Sequence, residues 1–324
     1  MQRRHFLPAL AALATAPFAT TAALAQGSDQ PIRWVVPYPA GGGTDVLART
    51  LSEAMRGPLA QNIVVDNRPG AATNIGAELV ARAKPDGQTI LSADNAVLAF
   101  NEHLFGKLPY QPEKDFSYIG AIGRFPLALV VHPAFPAKNF QEFLAYVKAH
   151  PGQVNYASPG NGSPHHLAME LFKNRTRTFL VHIPYRGAAP AMADVMGGQV
   201  PCMFLDLAAG LSVMQSGKVR VLAIGSAQRS PLLPQVPTLA EAGVKDSEVY
   251  AFQGLLGPAG LPEPVIARLN GELNKSFQTP AVQKRFADMG MEALPGTPAQ
   301  FHALARAESK RWGAVIQAAG IRLD

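Results

Sequence analysis

Residues 37–49 read Pro-Tyr-Pro-Ala-Gly-Gly-Gly-Thr-Asp-Val-Leu-Ala-Arg and directly follow the apolar run 32–36. A strand, a glycine-rich turn and a helix start are expected in one unbroken stretch. Such a turn presents backbone N–H groups, with no side chain in the way, at the positive end of a helix, where anions bind. Gly41, Gly42 and Gly43 let the chain take positive φ and let a ligand approach the backbone. Thr44 or Asp45 is placed to cap the helix. A carboxylate beside an anion site is expected to hold N–H groups or a water, not ligand charge, so Asp45 is assigned that supporting role. Taken alone, the stretch is equally a flexible turn with a cap.

A second turn, Gly160-Asn161-Gly162-Ser163-Pro164, also opens a helix and adds Ser158, Asn161 and Ser163 as side-chain donors. The segment 185–190 again joins a strand to a helix; it carries Tyr185 and offers Arg186 as counter-ion for a carboxylate. Two anion-competent helix starts in separate domains suit a cleft binder of a diacid. Each domain holds one end, and closure strips water from both.

Signatures of catalysis are scarce. There is no Walker motif, no G-x-S-x-G elbow, no Cys-x-x-Cys and no H-E-x-x-H. His165 and His166 are adjacent on a helix, so they point about 100° apart and are poorly placed to chelate one ion. No metal and no cofactor is expected. The single cysteine, Cys202, excludes an internal disulfide and lies in an apolar run, as a buried inert thiol does. A secreted hydrolase or lyase using Ser163, His165 and Asp45 is the alternative from another class.

The remaining chain must position these turns. Residues 1–25 carry Arg3 and Arg4, an apolar alanine-rich stretch and the cleavage pattern Ala23-Leu24-Ala25, so an export signal is expected, with a mature start near Gln26. Arg3-Arg4 also fits a twin-arginine signal, which leaves Sec and Tat both open. Losing the two arginines lowers the formal charge from +6 to +4, with no basic block for nucleic acid. The mature length exceeds one comfortable core, so two domains are expected.

Strands are expected at 32–36, 63–66, 89–93, 118–122, 127–132, 154–157, 180–183, 200–205, 219–224 and 252–256. Helices are expected at 45–55, 74–83, 140–149, 165–172, 188–196, 264–277, 280–290 and 297–318. This alternation predicts an α/β protein with mostly parallel sheets flanked by helices. Pro126, Pro133, Pro258 and Pro262 bracket two extended runs that can cross between domains as a hinge. The domains expected are 26–125 plus 250–324, and 126–249.

These residues resemble the Bug proteins, the periplasmic solute receptors of tripartite tricarboxylate transporters. The similarity runs from Trp34 to the C-terminus. Its markers are Tyr38-Pro-Ala-Gly-Gly-Gly-Thr-Asp45 with Ala48-Arg49, Val65-Asp-Asn-Arg-Pro-Gly-Ala71 with Ile75-Gly-Ala77, and Ala83-Lys-Pro-Asp-Gly87. They continue with Tyr156-Ala-Ser-Pro-Gly160, Gly162-Ser163, His182-Ile-Pro-Tyr-Arg-Gly187 and Gly197-Gly-Gln-Val200. Gly217-Lys218, Val236-Pro-Thr-Leu-Ala-Glu-Ala-Gly243 and Pro258-Ala-Gly260 complete the set.

The resemblance implies a two-domain Venus-flytrap (type II-like) periplasmic binding fold hinged on two crossing strands. It also implies a small organic acid as ligand, membrane transporter subunits as partners, and no catalysis. A monomer is expected, and a sensor subunit that presents ligand to a signalling partner is the other function open to such a receptor. The Gly41–Asp45 turn is implied to grip one ligand carboxylate, and the turn at 158–163 to close from the other side. The chain departs from the family at Phe252, where Trp is common, at Pro201 and Leu205, where acids are common, and at Ala72-Thr73-Asn74. Tyr38, Asn74, Tyr185 and Phe252 are assigned to the pocket, with Asp206 as the acid that would face a ligand ammonium. An apolar middle with polar ends ranks a dicarboxylate or aromatic acid first, a tricarboxylate second and an amino acid third.

Overall fold

The structure is a computed structural model that describes residues 30–323; the expected export signal lies outside them. β1 (Ile32–Val36) ends in the first glycine turn, and α1 (Gly43–Arg56) returns to β2 (Ile63–Asn67). Next come α2 (Asn74–Ala81), β3 (Thr89–Asp94), a π-turn (Ala96–Phe100), and the short α3 (Asn101–Leu104) and α4 (Pro112–Asp115). The 16-residue β4 (Phe116–Val131) follows. The middle of the chain contributes α5 (Phe140–Ala149), β5 (Asn155–Ser158), α6 (Pro164–Thr176), β6 (Val181–Pro184) and α7 (Ala188–Met196), then β7 (Cys202–Asp206), α8 (Leu207–Gln215) and β8 (Arg220–Ile224). β9 (Tyr250–Pro258) leads back to α9 (Glu263–Ser276), α10 (Pro280–Asp288), β10 (Glu292–Ala293) and α11 (Pro298–Ala319).

Local chemistry explains these elements. The stripe Leu47, Leu51 and Met55 buries one face of α1 against Trp34 and Val36 of β1. α11 opens on a reciprocal capping box between Thr297 and Gln300 with Pro298 at its first position, and closes on Gly320 in the left-handed region.

The strand order is β2-β1-β3-β9-β4-β7-β5-β6, with β8 and β10 also on β4. β1 is parallel to β2 and β3, and β5 is parallel to β6 and β7. β9 runs antiparallel to β3 and β4, and β4 antiparallel to β7 and β8. The expectation of mostly parallel sheets is therefore corrected to mixed sheets, because the strands that cross between the lobes run against both parallel sets.

The two strands expected at 118–122 and 127–132 are one strand, β4. Pro126 sits inside it as the handover point. Residues 116–126 pair with β9, and residues 127–131 pair with β7. A proline offers the ladder no N–H, which suits the place where the strand changes partner. The second crossing is at 225–250, where Val249 N donates to Gly225 O (2.8 Å) and Leu127 N to Val249 O (3.1 Å).

One apolar core continues through both lobes, with Phe100 on Trp312 in the first and Phe140 on Phe172 in the second. A separate core lies under α1, α9 and α10, and another under α7 and α8. Among the described residues, no helix is long and apolar enough to cross a membrane.

Candidate functional site

The first turn leaves the C-terminal end of β1. α1 begins at Gly43 with Gly42 as its N-cap and no side chain capping it, so neither Thr44 nor Asp45 is the cap. Asp45 instead reaches back from within the first helical turn. Its Oδ2 accepts from Gly41 N (2.9 Å), its Oδ1 from Asn67 Nδ2 (2.9 Å), and Arg49 Nε lies 3.0 and 3.1 Å from the two oxygens. Asn67 Nδ2 also donates to Tyr38 O (3.0 Å). Burial pushes the Asp45 carboxyl up, but the bonds from Arg49, Gly41 and Asn67 outweigh it and hold its pKa below the usual range. Asp45 thus holds the turn in shape.

Gly41, with φ +83°, needs to be glycine; Gly42 and Gly43 meet nothing closer than 3.5 Å where a Cβ would stand. All three are exposed, and the N–H groups of Gly43 and Thr44 have no partner among the described residues. Thr44 Oγ1 accepts from Gln253 Nε2 (3.2 Å). The Tyr38 hydroxyl, assigned to the ligand from sequence, donates to Asp94, whose other oxygen takes Ala96 N (3.1 Å). Burial raises the pKa of both groups, with the facing carboxylate adding to the rise at Tyr38.

Asn74 sits beside a strained loop. Ala71, Ala72 and Thr73 are all in the left-handed region, with φ of 47°, 50° and 78°. That is costly for residues with a Cβ and is tolerated where surrounding contacts over-determine it. The contacts are Asn101 Nδ2, which donates to Ala72 O (2.8 Å) and Asn74 Oδ1 (2.7 Å), and Tyr110 OH, which donates to Asn74 Oδ1 (3.1 Å).

The second turn proves chemically unlike the first. Its N–H groups are mostly used internally: Gly160 N on Ser158 Oγ (3.2 Å), Gly162 N on His166 Nδ1 (3.0 Å) and Ser163 N on Gly160 O (3.2 Å). Ser163 is the N-cap of α6, accepting from His166 N (3.2 Å), and Pro164 removes one more donor. Ser158 Oγ is buried against His182 Nε2 (2.6 Å). Ser158 and Ser163 therefore serve the turn, contrary to their assignment as ligand donors. Asn161 is exposed and its side chain is unpartnered among the described residues.

Arg186 is likewise exposed, with no hydrogen bond or ion pair among the described residues. Gly187 N donates to Pro159 O (3.0 Å), which sets the Arg186 loop against the second turn. The neighbouring Tyr185 hydroxyl donates to Asp194 (2.6 Å), and burial with that carboxylate pushes its pKa up to about 12.

Three further assignments change. Phe252 is 3% exposed and packs in the core shared by the lobes, so its ring does not face the first turn. Gln253, on the opposite face of β9, reaches Thr44 instead. The two-residue period of a strand, applied to this run, would have found it. Leu205 is buried under Gly210 in the core beneath α8, not in a pocket wall. Asp206 caps α8 through Ala209 N (2.7 Å) and pairs with His165 Nε2 (2.9 Å), so both oxygens are engaged. Burial pushes Asp206 up, but His165 and the Ala209 N–H bring its pKa below the usual range. Cys202 is buried, and burial raises its thiol pKa, which makes it unreactive.

The comparisons place this geometry among known proteins. Residues 47–321 match the family described as "Tripartite tricarboxylate transporter family receptor". Protein BugT of Bordetella pertussis is 36% identical over 295 residues, 91% of this chain and 90% of BugT. The structure of R. palustris Rpa4515 with adipate has a TM-score of 0.84 at 31% identity, covering 91% of this chain and 99% of that one. MatC (Rpa3494) from Rhodopseudomonas palustris with bound malate has a TM-score of 0.80 at 32% identity, covering 89% and 99%. Two lobes joined by crossing strands, with a glycine turn at strand ends in each, are thus the two-domain periplasmic binding fold, and the chain belongs to the tripartite tricarboxylate transporter receptors, the Bug family.

Proposed function

We propose that this protein is a periplasmic receptor that takes up a small organic diacid between its two domains and delivers it to membrane subunits of a tripartite transporter. The observation that carries this is the first turn, whose open N–H groups at Gly43 and Thr44 are held in place by the Asp45 network before any ligand arrives. A preorganised donor set at a helix N-terminus costs little to reorganise on binding an anion. Arg186 and Asn161, free on the second lobe, supply the opposing end. Adipate and malate in the sites of relatives at similar identity support a diacid over a monoacid.

The first domain takes residues 26–125 and 250–324, and the second takes 126–249. The first turn and the Arg186 loop then lie on different bodies that closure brings together. A thermal-shift screen of organic acids on the mature chain tests the proposal, run beside product analysis of every hit. Diacids should raise the melting temperature and be recovered unchanged. Conversion of a bound acid would make the protein an enzyme.

A further inference from the structure

Six buried side-chain atoms among the described residues have no hydrogen-bond partner, and two of them belong to side chains whose other polar atom is held by a residue at the meeting of the lobes. These two are Nδ1 of His165 in the second lobe and Oε1 of Gln253 in the first. The residues are 7% and 5% exposed. Leaving such an atom unpaired costs more than making its bond returns, so each position calls for a partner.

Both lie along the seam between the lobes. Three residues before His165, a Cβ at Gly162 would stand 2.7 Å from Leu104 and 2.9 Å from Leu323, both of the first lobe. One residue after Asp206, Leu207 lies 3.0 Å from the Cβ position of Gly290, again of the first lobe. The His165–Asp206 pair is therefore bracketed by two contacts across the seam. On the other side, Met289, next to Gly290, touches the Cβ position of Gly43 at 3.8 Å, and Gln253 is bonded to Thr44, the next residue.

The chemistry of the two atoms differs. Asp206 is ionised and fixes a proton on His165 Nε2 (2.9 Å). Where both ring nitrogens carry protons, Nδ1 donates as well, which suits a carboxylate. Gln253 donates through Nε2 to Thr44, so its free Oε1 accepts. It needs a ligand hydroxyl or ammonium. Among the described residues, the three carboxylates nearest these side chains are already engaged: Asp45 by Arg49, Asn67 and Gly41, Asp94 by Tyr38 and Ala96, and Asp206 by His165 and Ala209.

We propose that His165 and Gln253 select a hydroxyl-bearing diacid, with His165 donating to a ligand carboxylate from the second lobe and Gln253 accepting from the ligand's hydroxyl from the first. This rests on the diacid-receptor assignment above. The test is calorimetry on the mature chain with probes that differ in one substituent: succinate, malate and aspartate, and adipate with 2-hydroxyadipate. In at least one pair the hydroxylated acid should bind about tenfold or more tighter than its plain partner, since without the hydroxyl Oε1 stays buried and unpaired. Aspartate should bind more weakly than malate.

Gln253→Met should erase the hydroxyl preference, bringing the affinities of the plain and hydroxylated members of a pair to within about threefold of each other. His165→Phe should weaken both members of a pair by about tenfold or more, and His165→Asn provides a second variant where the first melts early. Equal binding of plain and hydroxylated diacids, or a preference that survives Gln253→Met, would overturn this proposal and leave the diacid receptor standing. Failure of every diacid to bind would overturn both.

Discussion

The first turn contains glycines of two kinds. Gly41 is glycine because its φ is positive; Gly42 and Gly43 have space for a Cβ and ordinary backbone angles. Their openness serves a ligand, not packing. Gly43→Val should therefore cut diacid affinity about tenfold or more by blocking backbone approach, while the ligand-free melting temperature changes little. A matching loss of stability would make the turn merely structural. Asp45→Ala is the converse case. It strands Gly41 N, leaves Asn67 Nδ2 with Tyr38 O as its remaining acceptor and releases Arg49, so urea unfolding should show a loss of about 1–3 kcal/mol, with weaker binding secondary to a loosened turn. This division of labour was only half legible in the sequence. A Gly-Gly-Gly run before a helix marks a candidate anion site and is equally a flexible turn. That Ser158, Ser163 and Asp206 would spend their oxygens on local caps depends on rotamers and close neighbours that no motif encodes.

At the scale of elements, periodicity did well and composition did less. The helices at 140–149 and 188–196 match the pattern of apolar residues to the residue, because each has one buried stripe and a clear start. α8 has no separate signal in the sequence, since its apolar residues continue the run of β7 and the stop between them is Asp206 acting as cap. β4 was divided in two at Pro126 because a proline normally ends a ladder, whereas here the strand passes from one lobe to the other at that residue. The second crossing depends on Gly225, where a Cβ would stand 2.2 Å from the Val249 side chain. Gly225→Ala should cost about 1–3 kcal/mol by overpacking, measured by urea unfolding; a neutral result would show that the crossing yields easily.

The second lobe also carries a stack that ties β5, β6 and α6 together. His182 lies on His166 at 3.9 Å and on Tyr156 at 4.8 Å. Burial pushes both histidines down to about 4, Lys173 adding to the effect at His166 and His166 and Lys173 at His182. An unfolded histidine titrates near 6.5, so the unfolded state takes up protons first as pH falls. Stability is full above about pH 6.5 and is lost as pH drops toward about 4, by on the order of 3 kcal/mol for His166. Lowered carboxylates such as Asp45 and Asp206 act only below that window. Unfolding free energy measured from pH 7 to 4 should fall, and less steeply in a His166→Asn variant. A flat profile would mean that the stack accepts protons without strain.

At the scale of the whole molecule, two lobes share a core at the hinge and meet again along a seam through Gly162, Leu207 and Gly290. A ligand held from both sides stabilises the closed form, and at about a thousand times its dissociation constant it should add about 4 kcal/mol to stability. The central claim is that each lobe grips one carboxylate. It is tested most directly by comparing adipate with hexanoate, which match in length but differ in the second charge, in equilibrium titrations of the mature protein. The account predicts saturable one-to-one binding of adipate and an affinity for hexanoate lower by about tenfold or more, the loss of a set of charge-assisted hydrogen bonds. Hexanoate binding as tightly as adipate would contradict it, because one lobe alone would then be holding the ligand.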